Sequence, residues 1–166
     1  TPRAAAGVEW EGAMTTDEPR GRSSSSDATR AYTLELPDPV RVLVADDDAE
    51  MRELMASMLR HAGYEVVQFR DGHQARHYVQ GLANGLIRVM PEVVVTDHRM
   101  PGCTGLEVVE ALRAHGLFVP AIVISGFADA SLHERVERLG SAICLDKPFG
   151  LDRLRAEVFR LAPLVS

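Results

Sequence analysis

Val40-Arg-Val-Leu-Val-Ala-Asp46-Asp47-Asp48 and Val93-Val-Val-Thr-Asp97-His-Arg-Met-Pro-Gly102 decide the architecture of this chain. Each opens on a short aliphatic run and breaks into carboxylates where the run ends. Two later segments repeat the form: Ala121-Ile-Val-Ile124 runs into Ser125, and Ile143-Cys-Leu-Asp146 runs into Lys147. Nearly unbroken apolar runs of this length suit strands covered on both faces, as in a parallel sheet. If the four runs lie parallel in one sheet, all four polar marks fall on the same rim, where an α/β protein keeps its site.

The segments between the runs have helical spacing. Met51, Leu54, Met55, Met58, Leu59 and Ala62 lay one apolar stripe along a first helix, which Gly63 ends. A second strand is expected near Tyr64 to Phe69. Asp71 with Gln74, Thr104 with Glu107 and Ser131 with Glu134 resemble capping boxes opening the next three helices. Leu151, Leu154, Val158 and Leu161 give a fifth helix its buried stripe. The reading is α/β with five parallel strands and five helices. Right-handed crossovers favour a doubly wound sheet of order 2-1-3-4-5, in which Asp46, Asp47 and Asp97 meet at the switch point.

At 166 residues and 46% hydrophobic content the chain has material for one domain with a proper core. Residues 1–38, with Gly, Pro and the Ser23–Ser26 run but no apolar periodicity, are expected to form a disordered arm or linker, with the folded domain in 39–166. Met14 is a candidate natural start. A net charge of −6 argues against direct nucleic-acid binding. The apolar runs fall far short of the ~20 residues a membrane helix requires, and no basic-then-apolar leader opens the sequence. Cys103 and Cys144 have no zinc or disulfide spacing, so reduced thiols and a cytoplasmic location are expected.

Three carboxylates gathered at one rim repel one another, and a hard divalent ion relieves that repulsion. Mg2+ suits such a site because it takes oxygen ligands and leaves positions for water and phosphate. Asp97, ending the central strand, is the candidate nucleophile toward phosphorus, with the loop from His98 to Thr104 free to wrap the site. Lys147 would pair with the phosphoryl group or the free Asp97 carboxylate, and Pro148 fixes the turn beside it, through a trans or cis bond. Ser125 can donate a hydroxyl hydrogen bond to a phosphoryl oxygen, and Gly126 clears the approach.

Jointly and in this order, Val-Leu-Val-Ala-Asp46-Asp47, Thr-Asp97-His-Arg-Met-Pro101-Gly-Cys-Thr-Gly105, Ile-Ser125-Gly126 and Asp-Lys147-Pro148-Phe149 resemble the receiver domain of two-component response regulators. The resemblance covers about Val40 to Leu161 and implies a flavodoxin-like (βα)5 fold close to that of chemotaxis regulators. It implies Asp97 as phosphoacceptor, with Mg2+ held by Asp47 directly, by Asp46 largely through water, by Asp97, and by the backbone carbonyl of Arg99. Ser125 and Lys147 take the family's switch-hydroxyl and lysine roles. The implied partners are a histidine kinase or phosphotransfer protein and an output protein not identifiable here. A homodimer is open.

Two departures stand out. The family often has an aromatic ring three residues before the lysine, where this chain has Cys144, and the stretch from Tyr78 to Pro91 is longer than usual, by an extended helix or a bulging loop. Cys144 is expected to be a small buried hydrophobe. Asp48 is expected only to cap a helix. His73 and His77 fit an exposed helical face better than a metal site. His133, Glu134, Arg135, Glu137 and Arg138 mark a candidate partner face, and Arg99 and Phe127 flank the site. Only five residues follow Leu161, so output is expected through a protein partner, unless the chain is a segment of a hybrid kinase. The rival from another class is a Mg-dependent phosphohydrolase with an aspartyl-phosphate intermediate. Such enzymes generally place an Asp-x-Asp pair on the first strand, unlike the contiguous aspartates here. Neither G-x-G-x-x-G nor a P-loop pattern occurs.

Overall fold

Aliphatic residues alternate sides along each central strand, and this alternation divides the core into two layers. In a computed structural model, which describes residues 38–127 and 130–164, Val42, Val44, Val93, Val95, Ile122 and Ile124 pack on one face. Leu43, Ala45, Val94, Ala121 and Val123 pack on the other. The strands are β1 (Arg41–Ala45), β2 (Glu65–Phe69), β3 (Val93–Asp97), β4 (Ala121–Ser125) and β5 (Ala142–Asp146), all parallel, in the order β2-β1-β3-β4-β5. The helices are α1 (Ala49–His61), α2 (Gly72–Ala83), α3 (Gly105–Ala114), α4 (Ala130–Arg138) and α5 (Leu151–Leu161). Met55 and Leu59 of α1 and Leu154 and Val158 of α5 cover the first face; α2, α3 and α4 cover the second. The doubly wound order read from the sequence is the order observed.

Helix ends follow their capping chemistry. Asp48 accepts the N–H groups of Glu50 and Met51, and Thr104 with Glu107 forms a full capping box. Asp71 accepts the Gln74 N–H at 2.8 Å, but the Gln74 side chain reaches past the cap to the Arg70 N–H at 3.2 Å. Ser131 is not the cap of α4, because that helix already includes Ala130. The first-helix stripe also needs correction. Leu54 is 50% exposed, whereas Met55, Ala56 and Leu59 are buried, so the covered face turns away from Leu54. The long stretch after Tyr78 resolves as a helix ending at Ala83 followed by a loop. That loop is tied back by N–H groups of Leu86 and Ile87 donating to the Gly81 carbonyl and by the Tyr78 hydroxyl donating to the Val89 carbonyl. The expected arm, apart from Asp38, lies outside the described residues, as does Met14.

Two contacts set the ends of the sheet. At the rim where strands finish, Gly105 lies so close to the Asp97 carbonyl that any Cβ would collide with it, and its N–H donates to the His98 carbonyl at 3.0 Å. At the opposite rim, Arg113 of α3 donates to the carbonyls of Leu117 at 2.8 Å, Leu139 at 2.9 Å and Gly140 at 2.9 Å, joining the turns that lead into β4 and β5.

The corrected stripe predicts different costs for two neighbouring leucines. Leu59→Ala, at a fully buried position, should lower the unfolding free energy in urea by about 2–5 kcal/mol. Leu54→Ala should change it by about 0.5 kcal/mol or less. Equal losses would restore the original stripe.

Candidate functional site

Pairing of Ala45 with Thr96 puts the residue after each, Asp46 and Asp97, side by side at the switch point between β1 and β3. Asp46 is 1% exposed and Asp97 5%, while Asp47 stands in solvent beside them. One carboxylate oxygen from each of the three lies within 4.8 Å of the other two.

Crowded carboxylates need compensating donors, and only some are present. Lys147 Nζ stands 2.7 Å from Asp97 Oδ1, and the Arg99 N–H donates to Asp97 Oδ2 at 2.9 Å. The Asp48 N–H donates to Asp46 Oδ1 at 2.9 Å, but Asp46 Oδ2 is buried with no partner. Burial, opposed by the Asp48 amide and reinforced by the Asp97 charge, pushes the Asp46 carboxyl up to about 6. For Lys147, burial works against the charge, yet the hydrogen bond to Asp97 and the nearby carboxylates outweigh it and its pKa is raised. An all-oxygen donor set with one orphaned buried oxygen is what a hard divalent cation fits.

The surrounding elements hold these groups in place. Arg52, one turn into α1, donates from Nη1 to the Asp46 carbonyl at 2.7 Å. The Lys147 N–H donates to the Ser125 carbonyl at 2.8 Å, and the Lys147–Pro148 peptide is cis. Ser125 is 2% exposed, with its Oγ accepting the Phe127 N–H at 3.2 Å; a Cβ at Gly126 would meet only the Lys147 side chain. The Arg99 guanidinium lies 4.7 Å from the centre of the exposed Phe127 ring, spanning the two loops that flank the site.

Asp46, Asp47, Asp97, Lys147 and the Arg99 backbone thus come together, with Ser125 at the end of the adjoining strand. Arg52 was missed because a reach back across six residues leaves no periodic mark. His98 was missed as well: its Nδ1 is buried without a partner, and burial lowers its pKa. His73 and His77 are exposed, and among the described residues they belong to no three-donor metal cluster. Cys144 is half-buried rather than buried. On the candidate partner face Arg135 pairs with Glu110 at 3.5 Å and Arg138 with Glu134 at 3.2 Å, and Glu137 is exposed.

Residues 42–159 match the family model for the response regulator receiver domain. The chain belongs to that family. This receiver domain is 34% identical over 117 residues to the transcriptional regulatory protein FixJ of Bradyrhizobium diazoefficiens, covering 70% of this chain and 54% of that protein. It is 39% identical over 131 residues to the response regulator MprA of a Mycobacterium species, covering 75% and 53%. It also matches the sensor protein EvgS of Escherichia coli, 30% identical over 81% of this chain and 11% of that one. Among solved structures, the receiver domain of the Francisella response regulator 1452 superposes with a TM-score of 0.64 at 28% identity, covering 75% of this chain and 96% of that one. The chain spans about half the length of FixJ and MprA. Among the described residues no helix is long and apolar enough to cross a membrane.

The raised pKa of Asp46 predicts a pH-dependent stability for the receiver in chelator. Its folded pKa lies above its ordinary 3.8, so the folded protein keeps a proton that the unfolded chain releases, and the associated stability is lost as pH rises from about 4 to about 6. The loss should be on the order of 2 to 3 kcal/mol. Urea unfolding in chelator across that range should show it in the native protein and not in Asp46→Asn; identical profiles would count against it.

Proposed function

We propose that this receiver accepts a phosphoryl group on Asp97 in a Mg2+-dependent reaction and signals through a protein partner. The observation that carries this is the buried Asp97 carboxylate, held by Lys147 at 2.7 Å beside two further carboxylates, one with an unpartnered oxygen. Asp46, Asp47, Asp97 and the Arg99 carbonyl would hold the ion. Bound Mg2+ would offset the charge shared by carboxylates and phosphoryl oxygens.

The chain's own groups do the rest. An Asp97 oxygen attacks phosphorus of a phosphohistidine on a histidine kinase or phosphotransfer protein; the O–P bond forms, the P–N bond breaks, and the imidazole leaves. Lys147, released from its pair with Asp97, follows the charge onto the phosphoryl oxygens. Ser125 turns its hydroxyl toward one of them and draws the β4–α4 loop after it. The ester is later hydrolysed at phosphorus, and Arg99 and Phe127, which flank the site, would tune its lifetime. Phosphorylation thereby shifts the balance between two packings of the face formed by α4 and β5, changing affinity for an output protein or a second copy of the chain. Residues 39–166 form the receiver on this reading and 1–38 an arm or linker. The match to a sensor protein supports a second setting, as the receiver segment of a hybrid kinase in the cytoplasm.

Incubation with acetyl phosphate followed by intact-protein mass spectrometry should give one phosphoryl addition that requires Mg2+ and is absent in Asp97→Asn. Addition to that variant would move the acceptor elsewhere, and continuous turnover of an external phosphate ester would favour a phosphohydrolase. Lys147→Arg should still accept phosphate yet lose phosphate-dependent partner binding or dimerisation, read by sedimentation; unchanged coupling would remove Lys147 from the switch.

A further inference from the structure

A second cluster of donors lies away from the acidic rim, on the face shared by α4 and β5. Cys144 and Asp146 are two residues apart on the edge strand, so both project to the same side of the sheet. His133 comes down on them from α4. Its Nε2 is 3.0 Å from Asp146 Oδ1, and one donor atom each from His133, Cys144 and Asp146 lies within 4.8 Å of the other two. Glu137, one helical turn beyond His133, lines the same depression.

A His–Asp contact on a surface is ordinary by itself. The thiol changes its chemistry, because sulfur, imidazole and carboxylate together are the donor set of a borderline-soft ion, whereas the rim offers oxygen alone. We propose that His133, Cys144 and Asp146 form a zinc site that fastens α4 to β5, with water or Glu137 in the fourth position. Tetrahedral ligands around zinc stand about 3.3 to 3.8 Å apart, so a pair at the 4.8 Å limit would close by about 1 Å while the 3.0 Å His133–Asp146 pair opens slightly. Rotation of side chains as open as His133, at 37%, and Asp146, at 58%, suffices for that. Burial, with the Asp146 charge adding to it, holds the Cys144 thiol up at about 11, so without metal it is protonated. On binding, the sulfur–zinc bond forms, the thiol proton passes to solvent and the His133–Asp146 contact opens to admit the ion.

The zinc donors share no residue with the phosphorylation rim, and the test keeps the two apart. The full chain, reduced and in excess Mg2+, is titrated with Co2+ and then with Zn2+ against a chromophoric chelator. One equivalent of Co2+ should bind with a thiolate-to-cobalt charge-transfer band, displaced by Zn2+. Cys144→Ser should abolish the band, and both it and His133→Gln should weaken zinc binding by at least about tenfold. Cys103→Ser, His77→Ala and Asp97→Asn should bind as the native protein does. Zinc should raise the melting temperature of the native chain and not of Cys144→Ser, and circular dichroism of the metal-free variants establishes that they are folded. A band that survives Cys144→Ser, binding lost in Asp97→Asn, or no saturable binding would overturn the proposal.

Discussion

The parallel register between β1 and β3 is the constraint on which the rest depends. With Ala45 opposite Thr96, Asp46 and Asp97 emerge as neighbours from segments fifty residues apart. A slip of one residue would turn every side chain of the shifted strand to the opposite face and separate the carboxylates. Two-sided burial assigns the aliphatic residues of the central strands to two apolar layers, so the pleat that fills the core also aims the residues at the strand ends. Core packing and the acidic rim are therefore set by one arrangement.

The rim carries an electrostatic cost that the fold only partly offsets. Lys147 answers Asp97, and backbone N–H groups answer one oxygen each of Asp46 and Asp97, but the second Asp46 oxygen has no partner. A structure that keeps such an oxygen buried retains stability for a ligand to supply. The membership in the receiver family and this orphaned oxygen lead to the same chemistry by separate routes.

Strand order and rim residues were legible in the sequence because they rest on short apolar runs and on which residue follows each run. Asp48, Thr104 and Gly63 were legible as helix punctuation because capping is local chemistry. What failed depended on direction or distance. Leu54 fits the spacing of its stripe, yet the helix turns it outward; Ser131 has a glutamate three residues on but sits inside its helix. Cys144 lies on an edge strand, with β4 on one side and no strand on the other, so its thiol stays half open. Arg52 reaches across a turn to hold the Asp46 carbonyl, which no periodicity announces.

Arg113 gives the molecule a mechanical polarity. By gripping three carbonyls from the turns before β4 and β5, one guanidinium rivets the C-terminal end of α4 to the floor of the sheet. A tilt of α4 would have its fulcrum near Leu139, with leverage growing toward His133. Any force from the upper loops that tilted α4 would therefore move its upper end most and the lower seam least.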